Sequence, residues 1–151
     1  MRRILVGELK RLRIKVHDKA TLVCMEGPAF STKAESHLYR AWGGSCINMS
    51  AIPEAKLARE AEICYAMVCM STDYDCWREE EEHVSAEMIF QNLAKNAASA
   101  AGAIRAIPPM LVKAARDCAC GAAARHGIIT ALEARPPGTS RKLKYLFPDL
   151  F

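Results

Sequence analysis

Residues 21–50 read TLVCMEGPAFSTKAESHLYRAWGGSCINMS, and the order of their parts decides the fold. Thr21 to Met25 is a short apolar run rich in strand formers, punctuated by Gly27-Pro28. Thr32 followed three residues later by Glu35 has the spacing of a capping box. The helix it opens carries Ala34, Leu38, Ala41 and Trp42 on one stripe and stops at Gly43-Gly44. Cys46 to Met49 is then a second strand. Strand, helix and strand in this order predict parallel pairing through a right-handed crossover.

The same pattern extends outward. Residues 2–13 place Leu5, Leu9 and Leu12 at helical spacing, with Arg and Lys on the other face. Pro53 suits the first turn of a helix carrying Leu57, Ala58 and Ala61. Ile63 to Met70 contains no charge, which predicts a third strand buried on both faces. After a polar loop, Ser71 to His83, Ser85 is placed to cap a long helix with Ile89, Phe90, Leu93, Ala97, Ala101 and Ile104 on its apolar side. Pro108-Pro109 is expected to end that helix. Met110 to Phe151 holds a Cys118-Ala119-Cys120-Gly121 stretch, a short apolar run (Ile128 to Leu132) and a basic tail. The expectation is an α/β fold with a mostly parallel or mixed sheet flanked by helices. Its first element is a helix with no strand before it, so the fold is expected to begin upstream of Met1. Ligands in such sheets gather beyond the carboxyl ends of the strands, here Glu26–Ser31, Asn48–Ser50 and Ser71–Trp77.

Composition narrows the function classes. The 151 residues are 51% hydrophobic and 25% charged, a balance that excludes disorder as the main reading. No apolar run approaches the roughly 20 residues of a bilayer span, and Met1 leads straight into a charged amphipathic segment rather than a signal peptide. A cytoplasmic protein without membrane partners is expected. The seven cysteines lie mostly in or beside apolar runs, and their odd number gives no disulfide framework. A net charge of +4, placed at Arg2–Lys15 and Arg141–Lys144 without interleaved aromatics, argues against a nucleic-acid partner.

Asp73-Tyr74-Asp75 follows the third strand candidate directly. Two carboxylates two residues apart point the same way if the backbone stays extended. Beside Met70 and Trp77, desolvation and like charge would hold one of them protonated, so the pair could donate one proton and accept another. The alternative is a turn in which Asp73 hydrogen-bonds local backbone.

Larger motifs join these residues. Glu26-Gly27-Pro28-Ala29-Phe30-Ser31-Thr32, Ala34-Glu35-Ser36, Trp42-Gly43-Gly44, Ile47-Asn48-Met49-Ser50, Pro53-Glu54, Leu57-Ala58-Arg59-Glu60-Ala61, Cys64-Tyr65-Ala66 and Thr72-Asp73-Tyr74-Asp75-Cys76-Trp77 stand in this order along the chain. Over residues 15–107 the sequence closely resembles the methylthioadenosine phosphorylases, of the trimeric purine nucleoside phosphorylase family. The tail, with Cys118-Ala119-Cys120-Gly121 and His126-Gly127-Ile128-Ile129-Thr130, is similar to the carboxyl extension of its microbial members.

The resemblance implies phosphorolysis of 5′-methylthioadenosine to adenine and 5-methylthioribose 1-phosphate, with inorganic phosphate as co-substrate and no metal or organic cofactor. It makes Asp73 the acid at purine N7 and Asp75 the acceptor of the 6-amino group. Phe30 lies against the purine with Ser31 beside it, and Met49 packs on the sugar. Ser50 bonds phosphate at a position usually Thr. Ala86, Ile89 and Phe90 match the pocket for the 5′-substituent, where a small apolar residue at 86 favours methylthio.

Residues 1–110 then correspond to the carboxyl-terminal portion of a phosphorylase domain and 111–151 to a carboxyl-terminal extension. The Gly-rich loop and Arg-His pair with which the family holds phosphate are missing, and Arg125-His126 stands in the wrong context to replace them. Self-association, as in the family's trimers, and a separately encoded amino-terminal half are the implied partners. Activity of the chain alone is not expected. A non-catalytic purine-binding or subunit-association fragment, and a related phosphorylase of another nucleoside specificity, remain as alternatives. For Cys118 and Cys120 three states stay open: half of a zinc site with His126 as a third ligand, a disulfide as in some thermophilic relatives, or a reduced pair.

Overall fold

The computed structural model describes residues 1–78 and 86–151. The chain divides into two compact units, one of Met1–Ile52 with Ala66–Ala115 and one of Pro53–Tyr65 with Arg116–Phe151.

In the larger unit, strand β1 (Leu22–Cys24) and strand β2 (Cys46–Asn48) pair in parallel with Leu22 opposite Cys46, Val23 opposite Ile47 and Cys24 opposite Asn48. Helix α1 (Arg2–Arg11) precedes them and helix α2 (Lys33–Ala41) connects them. The capping box is formed: the Glu35 amide donates to Thr32 Oγ1, and the Thr32 amide donates back to Glu35 Oε2 at 2.7 Å. At the other end of α2, Gly43 N–H donates to Arg40 O and Gly44 N–H to Tyr39 O, a Schellman closure with Gly43 at φ +82°. A Cβ on Gly44 would meet Tyr39 O at 2.8 Å, so both glycines are needed, each for its own reason.

Helices α1 and α3 (Ala51–Glu60) end in the same closure without glycine. Arg13 and Glu62 take the left-handed conformation, at φ 59° and 58°, and Ile14 and Ile63 donate back to Leu9 O and Ala58 O. Ile52 is non-helical, so the regular part of α3 begins at Pro53, the first-turn position expected of it. Helix α4 (Ala86–Lys113) packs on α1, where Leu5, Leu9, Ala103 and Ile107 are buried together and Ile14, Val16, Ala66 and Leu111 pack around them. The smaller unit adds 3-10 turns at Ala119–Ala122 and Leu132–Ala134 and helix α5 (Pro137–Leu143).

Three expectations are corrected. Ile63–Met70 forms no strand: the sheet among the described residues has two members, and this segment has no ladder partner. Without one its apolar character is not buried, and Ile63, Val68 and Met70 are exposed. Pro108-Pro109 does not end α4, which continues to Lys113. The lost backbone bonds are offset there because Ile107 and Leu111, on either side of the prolines, pack on α1. The stripe on α2 is also reversed, since Leu38 and Trp42 are exposed and the buried position is Ser36. Ser85, the expected cap of α4, lies outside the described residues.

Glu8 is 2% exposed and accepts Nε and Nη2 hydrogen bonds from Arg11 one turn on. Those bonds hold its carboxyl below the ordinary carboxylate value, against the opposing effect of burial. A carboxyl depressed in the folded state contributes stability at pH values above its unfolded pKa, and that contribution is lost as pH falls through the folded pKa. The wild type should therefore lose stability below about pH 4.5 more steeply than Glu8→Gln, read from urea midpoints across pH; parallel profiles would remove the pair from the stability account. Ser36 Oγ is buried without a hydrogen-bond partner among the described residues. Ser36→Ala should hold or raise stability, by about 1 kcal/mol, and a clear drop would reveal a partner for the hydroxyl.

Candidate functional site

The carboxyl ends of β1 and β2 set two loops side by side. The ladder runs one step past β1, with Met25 N–H donating to Asn48 O at 2.9 Å. Beyond it the β1 loop passes so close to Met49 that a Cβ on Gly27 would lie 2.4 Å from Met49 Cε. Asn48 shapes the β2 loop by accepting the Ala51 amide on Oδ1, while its Nδ2 donates to Ser50 Oγ and Met67 Sδ. Cys24 Sγ accepts the Ile52 amide at 3.3 Å, tying the start of β1's exit to that of β2.

A third loop, residues 71–78, joins these two. Cys76 Sγ donates to Ser31 O at 3.4 Å, and Ser31 Oγ donates to Met25 Sδ, so the Phe30–Ser31 turn touches the loop bearing both aspartates. Helix α4 holds this loop from one side: Asn92 Nδ2 donates to Thr72 O at 2.8 Å and Asn96 Nδ2 to Ser71 O at 2.9 Å. Helix α2 holds it from another through the Arg40 guanidinium, 3.4 Å from the centroid of the Trp77 ring. Tyr74 packs edge-on against Trp77.

Within this frame Asp73 is exposed and accepts from the Thr72 hydroxyl. Asp75 is half-buried, with Oδ1 accepting the Cys76 amide at 2.9 Å. The alternative reading gave Asp73 a bond to local backbone; here Asp73 accepts from the Thr72 hydroxyl, and it is Asp75 that accepts a backbone amide. Both carboxylates keep acceptor capacity beyond these single bonds. Phe30 is 83% exposed and Met49 also open, so each offers an apolar face to the space beyond the strands. Ala86 opens α4, Ile89 is half-buried one turn later, and Phe90 is 68% exposed.

The sequence reading did not single out Arg40, Asn92 or Asn96. The spacing of Asn92 and Asn96, one turn apart, was the available signal for a helix face that holds a neighbouring loop.

A second reactive group lies in the smaller unit. The sulfurs of Cys64, Cys118 and Cys120 lie within 4.8 Å of one another, with Cys64 and Cys118 at 3.2 Å. The Cys120 backbone amide, the Cys64 and Cys120 thiols and the Arg116 guanidinium together lower the Cys118 thiol to about 7. Among the described residues these three thiols are the group whose geometry could hold a metal ion, and it does not include His126.

Residues 1–107 match the sequence model of the phosphorylase superfamily, and the chain belongs to that family. Among curated proteins it is 51% identical over 146 residues to the S-methyl-5′-thioadenosine phosphorylase of Yarrowia lipolytica, covering 90% of this chain and 46% of that one. It is 50% identical over 137 residues to the enzyme of the same name from Schizosaccharomyces pombe, covering 88% and 45%. Among solved structures, a methylthioadenosine phosphorylase from an antarctic soil metagenomic library superposes with a TM-score of 0.86 at 40% identity, over 95% of this chain and 51% of that one. The adenosine/methylthioadenosine phosphorylase of Schistosoma mansoni, as a double mutant in complex with adenine, gives 0.73 at 27%, over 87% and 52%. The chain thus spans about half the length of the relatives it matches. The α/β fold expected from the motifs, and their resemblance to methylthioadenosine phosphorylases, agree with these findings.

If α4 fixes the aspartate loop, replacing Asn92 and Asn96 together by Ala should speed amide exchange over residues 71–78. Each lost bond is worth about 1 kcal/mol, or several-fold in the local opening equilibrium. Unchanged exchange would mean that the loop is held elsewhere.

Proposed function

We propose that this chain forms the purine-binding and methylthio-binding side of a methylthioadenosine phosphorylase, as the carboxyl-terminal portion of that enzyme. The reaction is cleavage of the glycosidic bond of 5′-methylthioadenosine by inorganic phosphate, giving adenine and 5-methylthioribose 1-phosphate. What supports the reading is the meeting of Phe30–Ser31, Met49–Ser50 and Asp73–Asp75 around one end of a parallel strand pair, in a stretch matched to the phosphorylase superfamily.

The chemistry assigns the roles. As the bond breaks, the sugar becomes oxocarbenium-like and the purine gains negative charge. Asp73 is the general acid that delivers a proton at N7 and stabilises that leaving group. Asp75 accepts from the 6-amino group, which favours adenine over a 6-oxopurine whose carbonyl would face a carboxyl oxygen. Phe30 stacks on the base with Ser31 at its edge, and Met49 covers the sugar. Ala86, Ile89 and Phe90 enclose the methylthio group, where an apolar wall leaves a 5′-hydroxyl unsatisfied. Ser50 contributes one phosphate contact.

A dianionic nucleophile needs several donors or cations to be held in line, and Ser50 is the one assigned to this chain. The rest of the phosphate site belongs to the amino-terminal half of the enzyme. Residues 1–110 are the catalytic-domain portion and 111–151 a carboxyl-terminal extension. No cofactor enters the reaction, the assembly is a homotrimer of completed units, and the compartment is the cytoplasm. Among the described residues no helix is long and apolar enough to cross a membrane.

The test has two arms. The folded chain alone should bind adenine in calorimetry, weakened at least tenfold by Asp75→Ala, and should release no adenine from methylthioadenosine with or without phosphate. Co-expressed with the amino-terminal half of a methylthioadenosine phosphorylase, it should give phosphate-dependent adenine release. Asp73→Asn should lower that release by about 100- to 10,000-fold, the range of a general acid. A folded chain that ignores adenine, or a complemented pair indifferent to Asp73→Asn, would overturn the reading.

A further inference from the structure

The smaller unit gathers three thiols by construction. The left-handed turn at Glu62 closes α3 and sends the chain back, so that Cys64 follows two residues later. Cys118 precedes, and Cys120 lies within, the 3-10 turn Ala119–Ala122. Glu62 also clamps the two segments together: its carbonyl accepts from Arg116 Nη2, and its Oε1 accepts the Ala124 amide at 3.1 Å. Arg116 lies over Gly121, where a Cβ would meet its Cζ at 3.2 Å, and its guanidinium reaches the sulfurs of Cys64 and Cys118.

We propose that Cys64, Cys118 and Cys120 form a three-thiolate site for a divalent thiophilic cation of the zinc class, with a water as fourth ligand. Zinc–thiolate bonds are about 2.3 Å, and three sulfurs around one tetrahedral ion are then about 3.8 Å apart. The sulfurs already lie within 4.8 Å of one another, so an ion enters by opening the 3.2 Å Cys64–Cys118 pair by about 0.6 Å. Charge fits as well. Each thiol releases its proton to solvent as the metal binds, and three thiolates around a divalent ion leave one negative charge. The Arg116 guanidinium offsets that charge from beside the ligands. Thiolate ligands favour zinc over the hard cations magnesium and calcium. Cys64 takes the place that the sequence reading considered for His126, and joins the tail cysteines to the end of α3. The proposal does not depend on the assignment of the phosphorolysis residues.

The full chain, reduced and held anaerobic, would be titrated with zinc against a chromogenic chelator and separately with cadmium. Cadmium–thiolate absorption counts the sulfur ligands in the wild type without any mutation. One ion per chain and three thiolates are expected. Cys64→Ser, Cys118→Ser and Cys120→Ser should each weaken zinc binding at least 100-fold. The quadruple variant Cys24→Ser/Cys46→Ser/Cys69→Ser/Cys76→Ser and His126→Ala should bind as the wild type does. Arg116→Met, which leaves every ligand in place, should cost about 10-fold, as outer partners of metal sites do. No binding by the folded reduced chain, two thiolates instead of three, or full affinity in Cys64→Ser would overturn the proposal.

Discussion

The parallel pairing of β1 with β2 is the constraint on which the larger unit depends. Its register puts Cys24 opposite Asn48, and one further bond, Met25 N–H to Asn48 O, carries it to the start of both exit loops. Two parallel strands cannot be joined by a tight turn, so the pairing dictates α2 and its two closed ends. It also delivers the Gly27 and Met49 loops to the same edge at contact distance. A slip of one residue would turn every β2 side chain to the opposite face and separate Met49 from Gly27. The loop of residues 71–78 needs no strand of its own to arrive there. Asn92, Asn96 and Arg40 hold it from two helices already fixed by other contacts.

A two-stranded sheet is marginal by itself, and the buried apolar cluster here is small: Leu5, Leu9, Ala103 and Ile107. Half the sequence is hydrophobic, and much of that material faces outward, including Phe30, Leu38, Trp42, Phe90 and Ile104. Apolar surface on this scale marks faces made for contact. Such exposure agrees with a chain that spans about half of its relatives' length and, in the reading proposed above, works only when associated.

What could be read from the sequence was what short-range chemistry encodes. Thr32 with Glu35 and Gly43 with Gly44 specify their helix ends through side chains and φ angles that act within four residues. The β1–α2–β2 order followed from those punctuation marks. Arg13 and Glu62 close their helices in the same way, yet nothing in an arginine or a glutamate announces a left-handed turn. Ile63–Met70 had the composition of a buried strand, but a strand exists only through a neighbour, and composition carries no information about who that neighbour is. The prolines of α4 failed as a stop signal for a related reason: packing of Ile107 and Leu111 on α1, remote in sequence, outweighs a local breaker. At the site, Asp73-Tyr74-Asp75 drew notice as two acids following an apolar run, whereas Phe30 and Ser31 were singled out by the family resemblance alone, since Asp and Ser are common in loops and a lone Phe is more often core. Arg40 and the two asparagines that hold the aspartate loop act across the fold and left a weaker trace. Cys64 was hidden in an apolar run, where a thiol and a small hydrophobe look alike.

In the reading proposed above, purine and phosphate place different demands on the residues of a site. Purine recognition can be built from few groups, because a flat base offers a large apolar face and two or three directional atoms. In that reading, one exposed aromatic ring, one acid and one acceptor serve that purpose, carried on loops held by the strand pair and by helices α2 and α4. Phosphate is a compact dianion, and holding it against water takes several charge-assisted donors converging from different directions. Here Ser50 already spends one interaction accepting from Asn48 Nδ2. Its hydroxyl can still donate to a phosphate oxygen, which orients that bond but supplies no charge. In the same reading, the positive potential of a complete phosphate site comes from residues beyond these loops, near the face where Met49 and Phe30 stand open.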